Sequence, residues 1–188
     1  NIETFNVIVD DSTAGTAHTV TVNTNGIDSS LTLLGVSGTS ATTQSDTIAF
    51  TNVDSGVALK ISAADVDTTV TYVTAATSGT ADSATVTFSG ASATAAGDAA
   101  LSYGATSGIE TLNVASSGSA NTVGDIIFGG TKIVVTGDQN LTVRSALDAS
   151  VATIDASALS GTAFLSVITA NFDDGEENEA TAGVDQAD

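Results

Sequence analysis

The chain contains one short strand-like segment twice. Residues 109–114 read IETLNV and residues 2–7 read IETFNV, so the two copies differ only where Leu112 stands in place of Phe5. In the second copy Leu112 and Val114 alternate with polar residues, which is the pattern of a β-strand with one buried face. A strand that recurs about a hundred residues further along indicates a tandem duplication.

Two further segments keep the same order in both halves. Leu31-Thr-Leu33 corresponds to Leu141-Thr-Val143, and the segment VDSGVALKISAADVDTTVTYV from Val53 aligns without a gap with LDASVATIDASALSGTAFLSV from Leu147. We therefore predict three regions: a first β repeat unit over residues 1–80, truncated at its N-terminus, a second β repeat unit over 81–170, and an acidic linker or tail over 171–188.

Short runs with a period of two residues recur along the whole chain. Val57, Leu59 and Ile61 fall on one side of such a run, and Ala58, Lys60 and Ser62 fall on the other. The runs follow one another at intervals of roughly 8–15 residues, with Gly, Asp, Asn and Ser between them. No stretch has a helical period of useful length, so the chain is predicted to be all-β.

The arrangement of these strands is open between two architectures. In the second unit the spacing predicts coils of about 20 residues with two strands each, as in a parallel β-roll or solenoid. In the first unit the strands are closer, at about 13 residues, which a β-sandwich array also explains. We expect tandem β units in one of these two forms.

The charge of the chain is strongly one-sided. There are 22 acidic residues against three basic ones, which gives a formal net charge of −19. Such a surface repels nucleic acid, whose binding depends on Lys and Arg, and it also disfavours anionic membranes. The acids must be solvated, screened by salt, or neutralised by bound cations.

The composition favours an exported, extracellular protein. The chain has no cysteine, which removes disulfides and zinc–thiolate sites and fits a protein that avoids oxidation outside the cell. No segment approaches the roughly 20 apolar residues that span a bilayer, and no basic region of a signal peptide is visible. Because the chain starts within a strand pattern, we expect it to be a fragment of a longer protein.

Catalytic chemistry is poorly supplied. His18 is the only histidine, no serine lies in a G-x-S-x-G segment, and the strand position of His18 favours a structural or solvent-facing role. Carboxylate pairs occur at Asp10-Asp11, at Asp65 and Asp67, and at Asp173-Asp174, and glycoside hydrolysis uses two carboxyls. Sugar sites also need aromatic and basic groups, which are scarce here, so we predict that the chain is not an enzyme.

The aspartates that follow strands have two interpretations. Asp beside Gly, Ser, Thr or Asn usually caps a turn, and oxygen-only binding of Ca²⁺ is the sharper alternative. Asp65-Val-Asp67-Thr-Thr69 begins like a calcium loop but lacks its glycine and closing Glu, and Asp10 and Asp11 are similarly placed after a strand. The tail from Asn171 carries seven acids and no base, which is typical of a linker, although it could order around a divalent ion.

Four segments of the chain resemble one family of bacterial surface proteins. They are DSATVTFSG (82–90), GIETLNV (108–114), VTGDQNLTV (135–143) and TIDASALSG (153–161). In this order they are similar to Gram-negative S-layer proteins of the RTX-associated, type I-secreted kind, and to the closely related RTX-type surface adhesins. The similarity covers most of residues 82–168 and, more faintly, 2–74.

The resemblance implies a secreted, Ca²⁺-dependent, self-assembling protein with a β-roll or sandwich array. The family's nonapeptide G-G-x-G-x-D is not present, and Gly129-Gly130-Thr131 is its nearest approach, so no standard calcium site transfers. The metal-binding role that the resemblance implies is transferred only to acidic turn residues within the matched segments. Together with the acids noted above, the candidate metal ligands are Asp10, Asp11, Asp65, Asp67, Asp82, Asp138, Asp148 and Asp155.

The leading functional hypothesis is a structural component of an extracellular surface layer that assembles with Ca²⁺ support. Its expected partners are copies of itself in a lattice and, through another part of the protein, cell-surface polysaccharide, with no nucleic acid and no membrane insertion. A repeat or stalk domain of an RTX-type adhesin is the main alternative. A β-helical polysaccharide-processing enzyme is the weakest of the three.

Overall fold

The protein is a parallel β-solenoid. The computed structural model describes residues 1–11, 13, 15–41, 45–95, 98–104 and 108–169, so the predicted acidic tail over 171–188 lies outside the described residues. Every strand pairing among the described residues is parallel. The prediction of an all-β array is confirmed. Of the two architectures that the sequence left open, the strands form the solenoid, because a sandwich would consist of packed antiparallel sheets.

Fifteen strands and two 3-10 helices make up the described chain. The helices span Thr24–Gly26 and Thr74–Thr77. The strands are β1 (Thr4–Asp10), β2 (Thr19–Asn23), β3 (Leu33–Thr39), β4 (Asp46–Val53), β5 (Ala58–Ala64), β6 (Val66–Tyr72), β7 (Ser83–Ser89), β8 (Leu101–Gly104), β9 (Thr111–Ser117), β10 (Asn121–Val123), β11 (Ile126–Phe128), β12 (Lys132–Gly137), β13 (Leu141–Leu147), β14 (Thr153–Leu159) and β15 (Leu165–Thr169).

These strands form three sheets, and the chain passes between them once in each turn. The longest sheet has seven strands in the order β1-β3-β5-β7-β9-β12-β14. A five-stranded sheet, β2-β4-β6-β8-β11, faces it over the first part of the solenoid, and a three-stranded sheet, β10-β13-β15, follows. The change occurs after β9, where β10 opens the three-stranded sheet and β11 closes the five-stranded one.

The core consists of rows of side chains that run along the solenoid axis. Alternate residues of each strand point inward, and parallel pairing in register sets equivalent residues of successive turns side by side. One row in the seven-stranded sheet therefore contains Phe5, Leu34, Leu59, Val86, Val114 and Val135. Small and β-branched residues suit this geometry because neighbouring strands lie only about 4.8 Å apart.

The core is continuous across the predicted division at residue 80. Strand β5 pairs with β7 through Leu59 and Val86, and one hydrophobic cluster contains buried residues from both sides. The gap-free alignment of the two halves places β5 opposite β14, and both strands belong to the seven-stranded sheet. The division into units remains a sequence prediction.

One short correspondence of the sequence comparison does not match the fold. Leu33 belongs to β3 in the seven-stranded sheet, whereas Leu141 and Val143 belong to β13 in the three-stranded sheet. Both tripeptides follow polar turns and alternate in the same way. Because strands on every face of the solenoid share this alternation, a tripeptide does not identify the face to which it belongs.

Exposed apolar side chains are concentrated at the two ends of the solenoid. The large hydrophobic residues that are exposed in the described chain lie in or next to the outermost strands β1, β2 and β15, and they are Ile2, Ile8, Val20, Phe164 and Ile168. Ile8 is 73% exposed. No helix in the part of the chain that the structure describes has the length and hydropathy needed to cross a membrane.

Candidate functional site

The first corner of the solenoid brings together side chains from two successive turns. Asp11 follows the last residue of β1, His18 precedes the first residue of β2, and Asp46 begins β4 in the next turn. Strands β2 and β4 pair with Thr19 opposite Thr47, and the Thr47 N–H donates a 2.8 Å hydrogen bond to the His18 carbonyl oxygen. This register sets His18 beside Asp46 although 28 residues separate them.

The three side chains converge on one point. The His18 Nδ1 atom lies 3.5 Å from Asp11 Oδ2 and 3.4 Å from Asp46 Oδ1, and one ligand atom from each residue lies within 4.8 Å of the others. Backbone groups hold the carboxylates in place. Asp46 Oδ1 accepts a 2.8 Å hydrogen bond from the His18 N–H, and Asp11 Oδ1 accepts one of 2.9 Å from the Thr13 N–H.

Burial increases from the imidazole to the second carboxylate. The side chain of His18 is 67% exposed, that of Asp11 26% and that of Asp46 9%. The site is thus a nearly buried carboxylate with a solvent-facing imidazole beside it. The exposed position of His18 agrees with the sequence analysis, whereas its contact with two carboxylates was not foreseen.

Asp65 and Asp67 lie at the equivalent corner of the third turn and bond to the turn that follows. Asp65 Oδ1 accepts hydrogen bonds from the N–H of Thr94 at 2.7 Å and from its hydroxyl at 3.1 Å. Asp67 Oδ1 accepts one of 2.9 Å from the Ala100 N–H. Burial raises the pKa of Asp67, and the negative charge of Asp98 adds to the shift.

Asp98 is a neighbour that the sequence analysis missed. Its carboxylate accepts hydrogen bonds from the Thr94 hydroxyl at 3.0 Å, the Ala95 N–H at 3.0 Å and the Ser45 hydroxyl at 3.2 Å. Asp98 therefore connects the second corner with the fourth. Ser45, Thr94 and Ala95 are donors, so these contacts stabilise a carboxylate without any bound cation.

Asp148 and Asp82 also bind backbone groups. Asp148 Oδ2 accepts a 2.7 Å hydrogen bond from the Phe128 N–H of the preceding turn, and Asp82 Oδ2 accepts one of 2.7 Å from the Gly79 N–H. Asp125 lies near Asp148. Its pKa is raised by burial first and by the charge of Asp148 second.

The remaining candidates lie apart from these groups. Asp10 is on the exposed side of β1, Asp138 is exposed in the turn after β12, and Asp155 is in β14. Hydrogen bonds from the Ser157 hydroxyl and N–H lower the pKa of Asp155, with a smaller contribution from Lys132. The structure therefore distributes the eight predicted metal ligands over several turns.

Only Asp11, of those eight, belongs to a compact group of three potential metal ligands among the described residues. Asp46 and His18 complete that group, and neither was among the predicted ligands. Asp46 is brought to the site by the pairing of β2 with β4, and no local sequence pattern predicts this pairing. Whether the eight aspartates bind metal stays a prediction.

Comparisons with known proteins found no relative of this chain. No protein family, no curated protein and no solved structure matches the chain.

Proposed function

We propose that this chain is a structural module of an extracellular surface layer and that it assembles with copies of itself. The observation that carries the proposal is the position of the exposed apolar side chains. Ile8, Val20 and Ile168 lie on outermost strands of the solenoid, and Ile2 and Phe164 lie next to them. Exposed apolar residues on strands with a free edge favour contact with another protein at that edge.

The outermost strands offer a backbone template as well as apolar side chains. Strand β1 has one pairing partner, β3, and β14 has one, β12, so each has a free edge of N–H and C=O groups among the described residues. Such edges accept a further parallel strand. Inward residues at the ends, including Phe5 and Ile154, are only partly buried, and a second copy continuing the stack would cover them.

Contact between unlike ends has a geometric consequence. An end with β1 that meets an end with β14 forms a head-to-tail contact, and such a contact generates an open assembly when the rotation between successive copies does not close a ring. A solenoid is suited to this because its repeat along the axis continues from one copy into the next. Lateral contacts between such rows would then make a two-dimensional layer.

Charge makes the assembly depend on cations. A net charge of −19 on each chain opposes association in dilute salt. Screening by salt weakens this repulsion, and Ca²⁺ bound by turn carboxylates neutralises it more efficiently at extracellular concentrations. We therefore propose Ca²⁺ as the supporting ion and the cell surface as the location, with attachment to polysaccharide by another part of the protein.

A stalk or repeat domain of a surface adhesin is the second candidate. The elongated parallel stack favours it, because a solenoid separates its two ends and serves as a spacer without self-association. An enzyme is the least supported interpretation. A surface groove of about 290 Å³ beside Gly56 and Ser83 has Asp82 as its only ionisable lining residue, which is not a set that performs acid–base catalysis.

The test is the assembly state of the purified chain with and without Ca²⁺, followed by analytical ultracentrifugation and electron microscopy. We expect Ca²⁺ to promote ordered assemblies of the native chain and the double variant Ile8→Lys, Ile168→Lys to remain monomeric. The double variant Ser83→Lys, Thr85→Lys adds the same two positive charges on the exposed face of the central strand β7, and it should assemble as the native chain does. Assembly that is unaffected by the end variant, or a native chain that stays monomeric at every Ca²⁺ concentration, contradicts the proposal.

A further inference from the structure

We propose that Asp11, His18 and Asp46 bind a transition-metal ion of the Zn²⁺ class, which fastens the first turn of the solenoid to the second. The juxtaposition of one imidazole nitrogen with two carboxylate oxygens at a corner is the basis of this inference. The site lies beside the outermost strands β1 and β2, which the proposed assembly also uses. Uptake of an ion is measured on the single chain and requires no assembly, so its failure is distinguishable from failure of the proposed function.

The spacing of the donor atoms fits ligands around one ion. Zinc bonds to nitrogen and oxygen are about 2.0–2.1 Å long, so two ligand atoms of a tetrahedral site lie about 3.3–3.4 Å apart. His18 Nδ1 lies 3.5 Å and 3.4 Å from the nearest oxygens of Asp11 and Asp46. A direct charge-assisted hydrogen bond would bring these atoms to about 2.7–2.9 Å. The two separations from the imidazole nitrogen are those of neighbouring ligands, and the ligand atoms of all three residues lie within 4.8 Å of one another.

Burial of Asp46 is an independent indication that a cation belongs here. Its side chain is more than nine-tenths buried, and Oδ1 takes one backbone N–H, whereas Oδ2 has no hydrogen bond among the described residues. Within the same residues, His18 is the only group that forms an ion pair with Asp46 or Asp11, and it is charged only when protonated. Asp46 Oδ2 is not one of the fully buried unpartnered atoms of the described residues, so it is accessible to solvent or to an ion, and a bound cation would offset the cost of burying the rest of the carboxylate.

The donor set selects the class of metal. Ca²⁺ and Mg²⁺ take oxygen ligands in sets of six or more, whereas an imidazole nitrogen with two carboxylates suits Zn²⁺ and its first-row neighbours. The open side next to the exposed imidazole leaves room for water as a fourth ligand. Asp11, which the sequence predicts as a calcium ligand, is therefore proposed here as a ligand of a Zn²⁺-class ion.

The ion would connect two successive turns of the solenoid. Asp11 and His18 belong to the first described turn, whose strands β1 and β2 pair on one side only among the described residues, and Asp46 belongs to the next turn. An ion that binds the folded chain and not the unfolded one stabilises the fold by mass action. Zn²⁺ should therefore raise the midpoint of thermal unfolding and slow amide exchange in β1 and β2.

The experiment is isothermal titration of the untagged chain with Zn²⁺ and separately with Ca²⁺, supported by the visible absorption of Co²⁺ as a reporter of nitrogen and oxygen ligation. We expect one Zn²⁺ per chain, and binding weaker by about tenfold or more in His18→Gln and in Asp46→Asn. Asp10→Asn removes the adjacent exposed carboxylate and should bind Zn²⁺ as the native chain does. The side-chain amide introduced by Asp46→Asn keeps an acceptor for the His18 N–H, so folding is preserved and circular dichroism verifies it.

Three results would overturn the inference. They are the absence of Zn²⁺ uptake by the native chain, Zn²⁺ uptake that His18→Gln and Asp46→Asn leave unchanged, and displacement of Zn²⁺ by an equal concentration of Ca²⁺. Weak uptake of several ions by all variants alike belongs to the acidic surface and also counts against the site.

Discussion

The side-chain amide of Asn121 donates a 2.8 Å hydrogen bond to the Ser116 hydroxyl in the interior of the solenoid. Ser116 stands in a row that Val36, Ile61 and Phe88 fill in the preceding turns of the seven-stranded sheet. Both polar residues are almost completely buried. A hydrogen-bonded pair thus takes the place of an apolar layer where the five-stranded sheet gives way to the three-stranded one.

Replacement of Asn121 should be among the most destabilising changes in the chain. Asn121 Oδ1 accepts hydrogen bonds from the N–H groups of Gly90 and Ala91, and Nδ2 also donates to the carbonyl oxygens of Ser117 and Ser119. Asn121→Ala leaves these buried groups without partners, so we expect a loss of about 3 kcal/mol or more in the free energy of unfolding. Urea denaturation measures it.

Asn140→Ala is the matched control for this change. Asn140 is half-buried, and its side chain accepts one hydrogen bond, from the Phe164 N–H at 3.1 Å. Its removal should cost about 1 kcal/mol. Equal losses in the two variants would show that the buried network has no special weight.

Thr68→Val should stabilise the fold. Thr68 lies between Ile48 and Leu101 in a core row of the five-stranded sheet, and its buried hydroxyl has no hydrogen-bond partner among the described residues. Valine has nearly the same shape without the cost of burying that hydroxyl, so unfolding should require about 1 kcal/mol more. Chemical denaturation at neutral pH is the measurement.

Thr24→Val removes the same kind of hydroxyl group, but we expect it to destabilise the fold. Thr24 is also buried, but its hydroxyl donates to the carbonyl oxygens of Thr51 and Asn52. Valine there leaves carbonyl groups without a donor, and we expect a loss of about 1 kcal/mol. If both valine variants shift stability in the same direction, hydrogen bonding is not what distinguishes the two positions.

Two glycines at the ends of strands allow neighbouring turns to approach closely. Gly38 and Gly137 have φ angles of +97° and +115°, and a Cβ atom at either position would overlap the carbonyl oxygen of the adjacent strand, at Val9 and Ser116 respectively. Gly137→Ala should therefore cost about 1–3 kcal/mol, from backbone strain and from displacement of the neighbouring strand.

Gly26→Ala tests whether this cost is specific. A Cβ atom at Gly26 meets no atom within 4 Å, and its φ angle is not in the left-handed region. The thermal unfolding midpoint of this variant should stay close to that of the native chain, with a change in free energy within about 0.5 kcal/mol. A Gly137→Ala variant as stable as Gly26→Ala would contradict the close-approach explanation.

The all-β class was predictable from the sequence because it depends on local alternation. Val57, Leu59 and Ile61 alternate with smaller or polar residues, and Leu59 and Ile61 are buried in β5 as this pattern predicts. The choice between solenoid and sandwich was not predictable. It depends on which strands pair, and the contact of Leu59 with Val86 joins residues whose alternation is the same in either architecture.

The corner site was only partly predictable for the same reason. Asp11 was recognised as a polar residue after a strand, but Asp46 reaches it from the following turn through the pairing of β2 with β4. In Asp65, Asp67 and Asp148 the sequence analysis offered turn capping and calcium binding as alternatives. The structure shows backbone hydrogen bonds for all three, and several reach the adjacent turn, a longer range than a local cap.

The acid dependence of stability should have opposite signs at Asp67 and Asp155. Burial raises the pKa of Asp67 above its ordinary value, so the folded state takes up a proton more readily than the unfolded state does. Ionised Asp67 therefore opposes folding, and its contribution improves as the pH falls. The native chain should gain stability relative to Asp67→Asn between about pH 7 and about pH 4.

Asp155 supplies the contrast because hydrogen bonds from Ser157 lower its pKa. Its ionised form favours folding above the ordinary pKa of about 3.9, and this contribution is lost as the pH falls through the lower folded value. The native chain should thus lose stability relative to Asp155→Asn as the solution becomes more acidic. Urea denaturation of both variants and the native chain at about pH 7, pH 5, pH 4 and pH 3 measures the two differences, and the lowest pH is needed because the contribution of Asp155 is lost below about pH 4. Differences that change with pH in the same direction would show that burial at Asp67 does not outweigh its hydrogen bond from Ala100.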